Sequence, residues 1–123
     1  MERSAVFVGV DVSKAHLEVT LGGSEEVTRT PNSELGFGAL VQSLRDLPPT
    51  LVVMEATGGF EVPAAAALAA AGIPVVIANP RQVRDFAKAT GQLAKTDEID
   101  ARALALFAER VRPQARPLPD DQA

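Results

Sequence analysis

Val6-Phe7-Val8-Gly9-Val10-Asp11-Val12 is a short, valine-rich apolar run. Its β-branched content and its lack of polar alternation predict a strand covered on both faces of a sheet. Asp11 interrupts the run near its carboxyl end. Leu51-Val52-Val53-Met54 and Pro74-Val75-Val76-Ile77-Ala78 have the same character, and Glu55 closes the first of them as Asp11 closes the opening run. Strands of this kind need helices over both faces, and the stretches between and after them carry helical patterns.

Downstream of the first run, Leu17, Val19 and Leu21 alternate with Glu18 and Thr20, which predicts a half-exposed strand ended by a Gly22-Gly23 turn. Residues 25–30 read as a weaker, polar edge strand stopped by Pro31. Asn32 or Ser33 can then cap a helix carrying Phe37, Leu40, Val41 and Leu44, closed by Pro48-Pro49. After Glu55, Ala56-Thr57-Gly58-Gly59 is a loop, followed by an alanine-rich helix with Pro63 in its first turn and Gly72 just past its end. Asn79-Pro80 is an N-cap and first-position pair for a helix packing through Val83, Phe86, Ala87 and Thr90 and ended by Gly91. The last helix is expected over 95–112, with Thr96 as N-cap and a stripe of Asp97, Asp100, Leu104, Phe107 and Val111 at alternating spacings of three and four. Pro113, Pro117 and Pro119 make an extended tail. The expected fold is therefore α/β. An antiparallel meander opens a mixed five-stranded sheet, later strands join in parallel through helices, and helices lie on both faces. Residues 1–112 form the domain and 113–123 a flexible, proline-rich tail.

At 123 residues, 46% hydrophobic and 23% charged, the chain has the length and composition of one globular domain. It has no cysteine, so a disulfide framework and a thiolate metal site are excluded. No apolar run approaches the ~18 residues of a membrane span, and the N-terminus starts directly on a strand-like run, so the expectation is a soluble cytoplasmic protein. The net charge of -4 argues weakly against nucleic acid. Its distribution points the other way: residues 81–116 hold eight basic residues against five acidic, while residues 1–80 hold four against nine. Lys14, Arg81, Arg84, Lys88, Lys95 and Arg102 are the candidate phosphate contacts.

Asp11 and Glu55 each close a buried strand, where ligands gather in open α/β sheets. Asp97 and Asp100 head the stripe of the last helix, where an inward carboxylate needs a cation. The simpler reading of acids at a helix start is that the macrodipole favours them, which accounts for Glu98. Four acids that one fold can gather suit a hard cation, Mg²⁺ or Mn²⁺. His16 has no second histidine at ligand spacing, and Thr57-Gly58-Gly59 lacks the lysine and spacing of a phosphate-binding loop.

Gly9-Val10-Asp11-Val12-Ser13-Lys14, Glu55-Ala56-Thr57-Gly58, Asn79-Pro80 and Lys95-Thr96-Asp97-Glu98-Ile99-Asp100-Ala101, in that order, resemble the DEDD-type insertion-sequence transposases related to the Piv DNA invertase. The Lys-Thr-Asp-x-x-Asp-Ala block is the most specific of these, and the set spans nearly the whole chain. The resemblance implies a RuvC-like, ribonuclease H-like fold, with Asp11, Glu55, Asp97 and Asp100 as a catalytic, metal-binding tetrad. It also implies DNA recombination during transposition and a structured guide RNA from the element; a homo-oligomer is expected beside them. Members of that family carry a second, C-terminal domain with a nucleophilic serine. This chain ends at Ala123, so the expectation is an excised or truncated domain that is incomplete for recombination. Two alternatives stand beside this reading: an actin-like or sugar-kinase-like ATPase domain, and a non-catalytic nucleic-acid-binding or oligomerisation module.

Overall fold

A computed structural model describes residues 5–24, 26–47, 50–91 and 100–114. Strands β1 (Val6–Val12), β2 (His16–Leu21) and β3 (Thr28–Pro31) form the opening meander. Helix α1 (Glu34–Arg45), strand β4 (Thr50–Glu55), helix α2 (Val62–Ala70), strand β5 (Val75–Ala78) and helices α3 (Pro80–Ala89) and α4 (Ala101–Val111) follow. The five strands lie in the order β3-β2-β1-β4-β5. The pairs β1–β2 and β2–β3 are antiparallel. The pairs β1–β4 and β4–β5 are parallel, with Val10 opposite Met54 and Glu55 opposite Ala78. The mixed five-stranded sheet expected from the sequence is the fold observed.

Alternation along the strands divides the core in two. Val8, Val10, Val12, Val52 and Met54 face α1 and α2, where they bury Leu40, Leu44, Ala64, Ala65 and Leu68. Phe7, Val53 and Ala78 face α3 and α4, against Val83, Leu104, Phe107 and Ala108. The Phe86 and Phe107 rings meet edge to face at 5.5 Å and tie α3 to α4. Each fully buried Val, Leu, Met or Phe side chain contributes about 1.5–3 kcal/mol relative to exposure. Among the described residues, no helix is long and apolar enough to cross a membrane.

The local signals for α2 and α3 act as their residue types require. Asn79 accepts the Arg81 N–H at 2.8 Å and Pro80 opens α3, while Gly91, at φ +76°, follows its end. Pro63 sits in the first turn of α2. Three expectations change. Pro31 ends β3 from within, paired with His16, because an edge strand tolerates a residue that cannot donate on its open side. Thr90 is exposed and caps α3, its hydroxyl donating to the Phe86 carbonyl at 3.0 Å.

The third change is the last helix, which starts at Ala101. Asp100 is extended (φ −115°, ψ −179°) and caps it, accepting the Ala103 N–H at 3.0 Å. No helix runs through an extended residue, so the expected 95–112 helix and a helical face shared by Asp97 and Asp100 do not hold. Thr96 and Asp97 themselves lie outside the described residues, as do Glu25, Pro48-Pro49, Lys95 and 115–123 of the tail. Leu104 and Phe107 are buried as the stripe requires, but Val111, the last helical residue, is 47% exposed. Arg112 closes the helix in the left-handed region, at φ 50°, with its guanidinium 5.1 Å from the centre of the Phe7 ring.

Helix α4 lies directly on the main chain of β1. A Cβ at Gly9 would overlap the Ala101 carbonyl oxygen and the Ala105 nitrogen, and would stand 2.9 Å from Leu104 Cβ. Backbone atoms of a helix cannot yield as a side-chain tip does. Gly9→Ala is expected to lift α4 from the sheet and to cost about 3 kcal/mol or more, the upper range for overpacking. Urea unfolding checks it, with Gly38→Ala, where nothing lies within 4 Å, as the control expected to be neutral or stabilising.

Candidate active site

Parallel pairing of β1 with β4 decides where the first two acids stand. Val10 is opposite Met54, so the next residues along, Asp11 and Glu55, lie side by side near the carboxyl ends of adjacent strands. Asp11 lies on the face of Phe7 and Gly9, and Glu55 on the face of Val53, which is the face covered by α3 and α4. Both are half-buried. Burial pushes the Glu55 carboxyl above its usual value of 4.5, the Asp11 charge pushes it the same way, and Arg84 on α3 opposes both. The structure therefore brings Asp11, Glu55 and Arg84 into one electrostatic unit.

Asp100 reaches the same end of the sheet by another route. α4 opens over Gly9 and closes over Phe7, so it runs against β1 and its N-terminus lies toward Asp11. The Asp100 carboxylate is the N-cap and also lies 3.3 Å from Arg102. The preference of acids for a helix start thus accounts for its present contacts. Among the described residues, no three acids or histidines are grouped so as to hold a metal ion.

The remaining helices begin at this end as well. α1 follows β3, α2 follows β4 and α3 follows β5, and each of those strands runs in the direction of β1. All four helix N-termini therefore direct positive dipole ends toward the edge that carries Asp11 and Glu55.

Two acids that the sequence did not single out belong to the surroundings. Glu18 is in register with Asp11 on β2, and Arg29 faces it at 3.6 Å across the outer strand pair. Glu61 is only 6% exposed. Its Oε1 accepts the Thr57 N–H at 2.9 Å, the Thr57 hydroxyl at 2.9 Å and the Gly59 N–H at 3.1 Å. Burial raises the Glu61 carboxyl, but these bonds outweigh it and hold the group below its usual 4.5. Its stabilising contribution is present above that value and lost as pH falls through the lower folded one. The only sequence signal for it was an acid close behind a Thr-Gly-Gly loop.

The expected basic residues divide. Lys14 is exposed in the turn after Asp11, and Arg81 is exposed in the first turn of α3. Arg84 is half-buried toward Glu55, and Arg102 is paired with Asp100. Lys88 lies seven residues beyond Arg81, about 10 Å farther along α3 and away from the acids. Lys95, like Asp97, is outside the described residues.

A family model described as a transposase, of the DEDD type named for IS110, matches residues 8–123. The chain belongs to the DEDD transposase family. The match covers β1 from Val8 onward, with Asp11, the whole of β4, with Glu55 at its end, and the whole of α4. Among solved structures, RuvC of T. thermophilus, in complex with a Holliday junction substrate, is similar. The TM-score is 0.61 and the identity 20%, over 94% of this chain and 100% of that one. At that identity the likeness establishes the RuvC-like, ribonuclease H-like fold. No curated protein matches the chain.

The charge relations within this transposase-family site set a stability test. A carboxyl whose folded value is raised is stabilising below its unfolded value, and that benefit is lost as pH rises through the folded value. Above both, Glu55 is a net liability in the folded chain. Glu55→Gln is therefore expected to melt at or above the parent at pH 7, and the difference should vanish as pH falls below about 4.5. Thermal melts across pH 4–8 check it; a variant melting well below the parent at pH 7 would mean that the Glu55 carboxylate is held by structural bonds.

Proposed function

We propose that the chain performs metal-dependent phosphoryl transfer on DNA in transposition, with Asp11, Glu55, Asp97 and Asp100 as the carboxylates that hold Mg²⁺ or Mn²⁺. The observation that carries this reading is the pairing of Asp11 with Glu55 at adjacent parallel strand ends, where the helices also begin, in a chain of a transposase family. Two half-buried, oxygen-only donors, with the Asp11 charge raising the proton affinity of Glu55, fit a hard divalent cation, which would relieve the repulsion. When bound, such ions supply a polarised phosphoryl oxygen and an activated nucleophile.

Asp11 and Glu55 would supply ligand oxygens from the paired central strands β1 and β4. Asp100 would turn from Arg102 while α4 keeps its place on Gly9, and Asp97 would complete the set. Lys14 and Arg81, exposed at the same end, would take backbone phosphates, and Arg84, Lys88, Lys95 and Arg102 would extend that surface. DNA as the partner is supported by the family and by the Holliday junction substrate bound to the similar RuvC. A structured guide RNA follows from the family resemblance; a homo-oligomer and action in the cytoplasm complete the proposal. Family membership favours this reading over the ATPase and the non-catalytic module.

Two measurements test it. Millimolar Mn²⁺ should raise the melting temperature, because it binds the folded site and not the unfolded chain. Asp11→Asn should abolish most of that rise while leaving the metal-free protein as stable as the parent or more so. No metal shift in the parent, together with a lower melting Asp11→Asn, would refute the metal-site reading. The second is a salt titration of labelled duplex DNA. Few phosphate contacts predict weak binding with a shallow slope of about 0.9 per phosphate neutralised. Tight, salt-insensitive binding would contradict the arrangement of basic residues.

A further inference from the structure

Asn32 and Glu61 lie outside the tetrad, yet they join the two loops that leave the acid-bearing strands. The turn after Asp11 closes through Ser13, whose N–H donates to the His16 carbonyl at 2.9 Å. Asn32 grips this turn twice. Its N–H donates to the Ala15 carbonyl at 2.9 Å, and its Nδ2 donates to the Ser13 carbonyl at 2.8 Å. The same Nδ2 donates to the Phe60 carbonyl at 3.1 Å, in the loop that follows Glu55. That second loop is gathered from within by Glu61, whose single oxygen Oε1 takes three donors from Thr57 and Gly59. Gly58 and Gly59 both have positive φ, so the loop has little intrinsic preference for its shape without that carboxylate.

We infer that Asn32 and Glu61 are positioning residues for the carboxylate pair: Glu61 shapes the loop after Glu55, Asn32 clamps it to the turn after Asp11, and together they set the spacing at which the pair holds one divalent cation. The inference rests on the reading of Asp11 and Glu55 as joint ligands. Neither positioning residue touches the cation. Each acts through main-chain groups within a few residues of a ligand, and supporting groups of that kind change metal affinity by about 10–100-fold.

The experiment measures Mn²⁺ affinity of the whole chain by calorimetry and by the electron paramagnetic resonance signal of free Mn²⁺, at a temperature where circular dichroism shows each variant folded. Asn32→Ala and Glu61→Ala should weaken Mn²⁺ by about tenfold or more. Glu61→Gln, which keeps an acceptor oxygen at the same reach, should stay within about threefold of the parent. If Glu61→Ala does not fold, Thr57→Val removes one of the three donors with little change in volume and should weaken Mn²⁺ in the same direction, with Asn32→Ala as the independent arm. A purely structural role would lower the melting temperature and leave the affinity of the folded variants unchanged, which overturns the inference and leaves the metal-site reading standing. Loss in Glu61→Gln equal to that in Glu61→Ala, with Asn32→Ala unaffected, would assign the effect to charge and overturn positioning. A folded parent that binds no Mn²⁺ would sink the metal-site reading itself, and the inference with it.

Discussion

The contact between the main chain of β1 and the first turn of α4 is the constraint on which the rest of the architecture depends. Gly9 has no side chain, so the Ala101 carbonyl and the Ala105 nitrogen lie where a Cβ would otherwise be. This seats α4 across the centre of the sheet and lets Leu104, Phe107 and Ala108 bury against Phe7 and Val53. It also fixes where on the sheet the first turn of the helix rests, and hence which end of β1 Asp100 lies toward. A helix held farther out would leave a void over the central strands, at a cost set by lost transfer energy and lost contacts.

The carboxylate end is arranged against its own electrostatics. Asp11 and Glu55 repel each other on adjacent strands, and burial adds to the cost of their charge. Arg84 offsets part of it. The cation proposed for this end of the sheet would relieve that conflict. Glu61 is the contrasting case. It is the more deeply buried acid, but three donors satisfy one of its oxygens and lower its proton affinity. The two acids lie six residues apart, and the three donors at Glu61 against the neighbouring Asp11 charge at Glu55 separate their behaviour.

Much of the fold was legible because its determinants are local. Valine-rich runs specify covered strands, Asn79-Pro80 starts a helix, and Gly72 and Gly91, both at positive φ, end two others. The errors also have local causes. Residues from Thr96 onward contain no strong helix breaker, so a helix beginning there and one beginning at Ala101 have similar propensity. The choice was made by the Asp100 side chain, which took the Ala103 N–H and an extended backbone. Val111 fits the apolar stripe yet stays partly exposed, because spacing along a helix does not say where its partner surface ends.

The sequence by itself determined the strands and the four described helices, the places of Asp11 and Glu55 at strand ends, and the ordered motifs that relate the chain to its transposase family. These depend on side-chain period, caps and breakers, whose physics acts within a few residues. Tertiary structure alone decided that β1 and β4 are neighbours and in a register that sets the two acids side by side. It alone decided that Gly9 receives a helix backbone, that Arg84 faces Glu55, and that Asn32 bridges two loops 19 and 28 residues away. Those relations come from the packing of distant segments on one sheet, where a one-residue slip would turn every side chain to the other face.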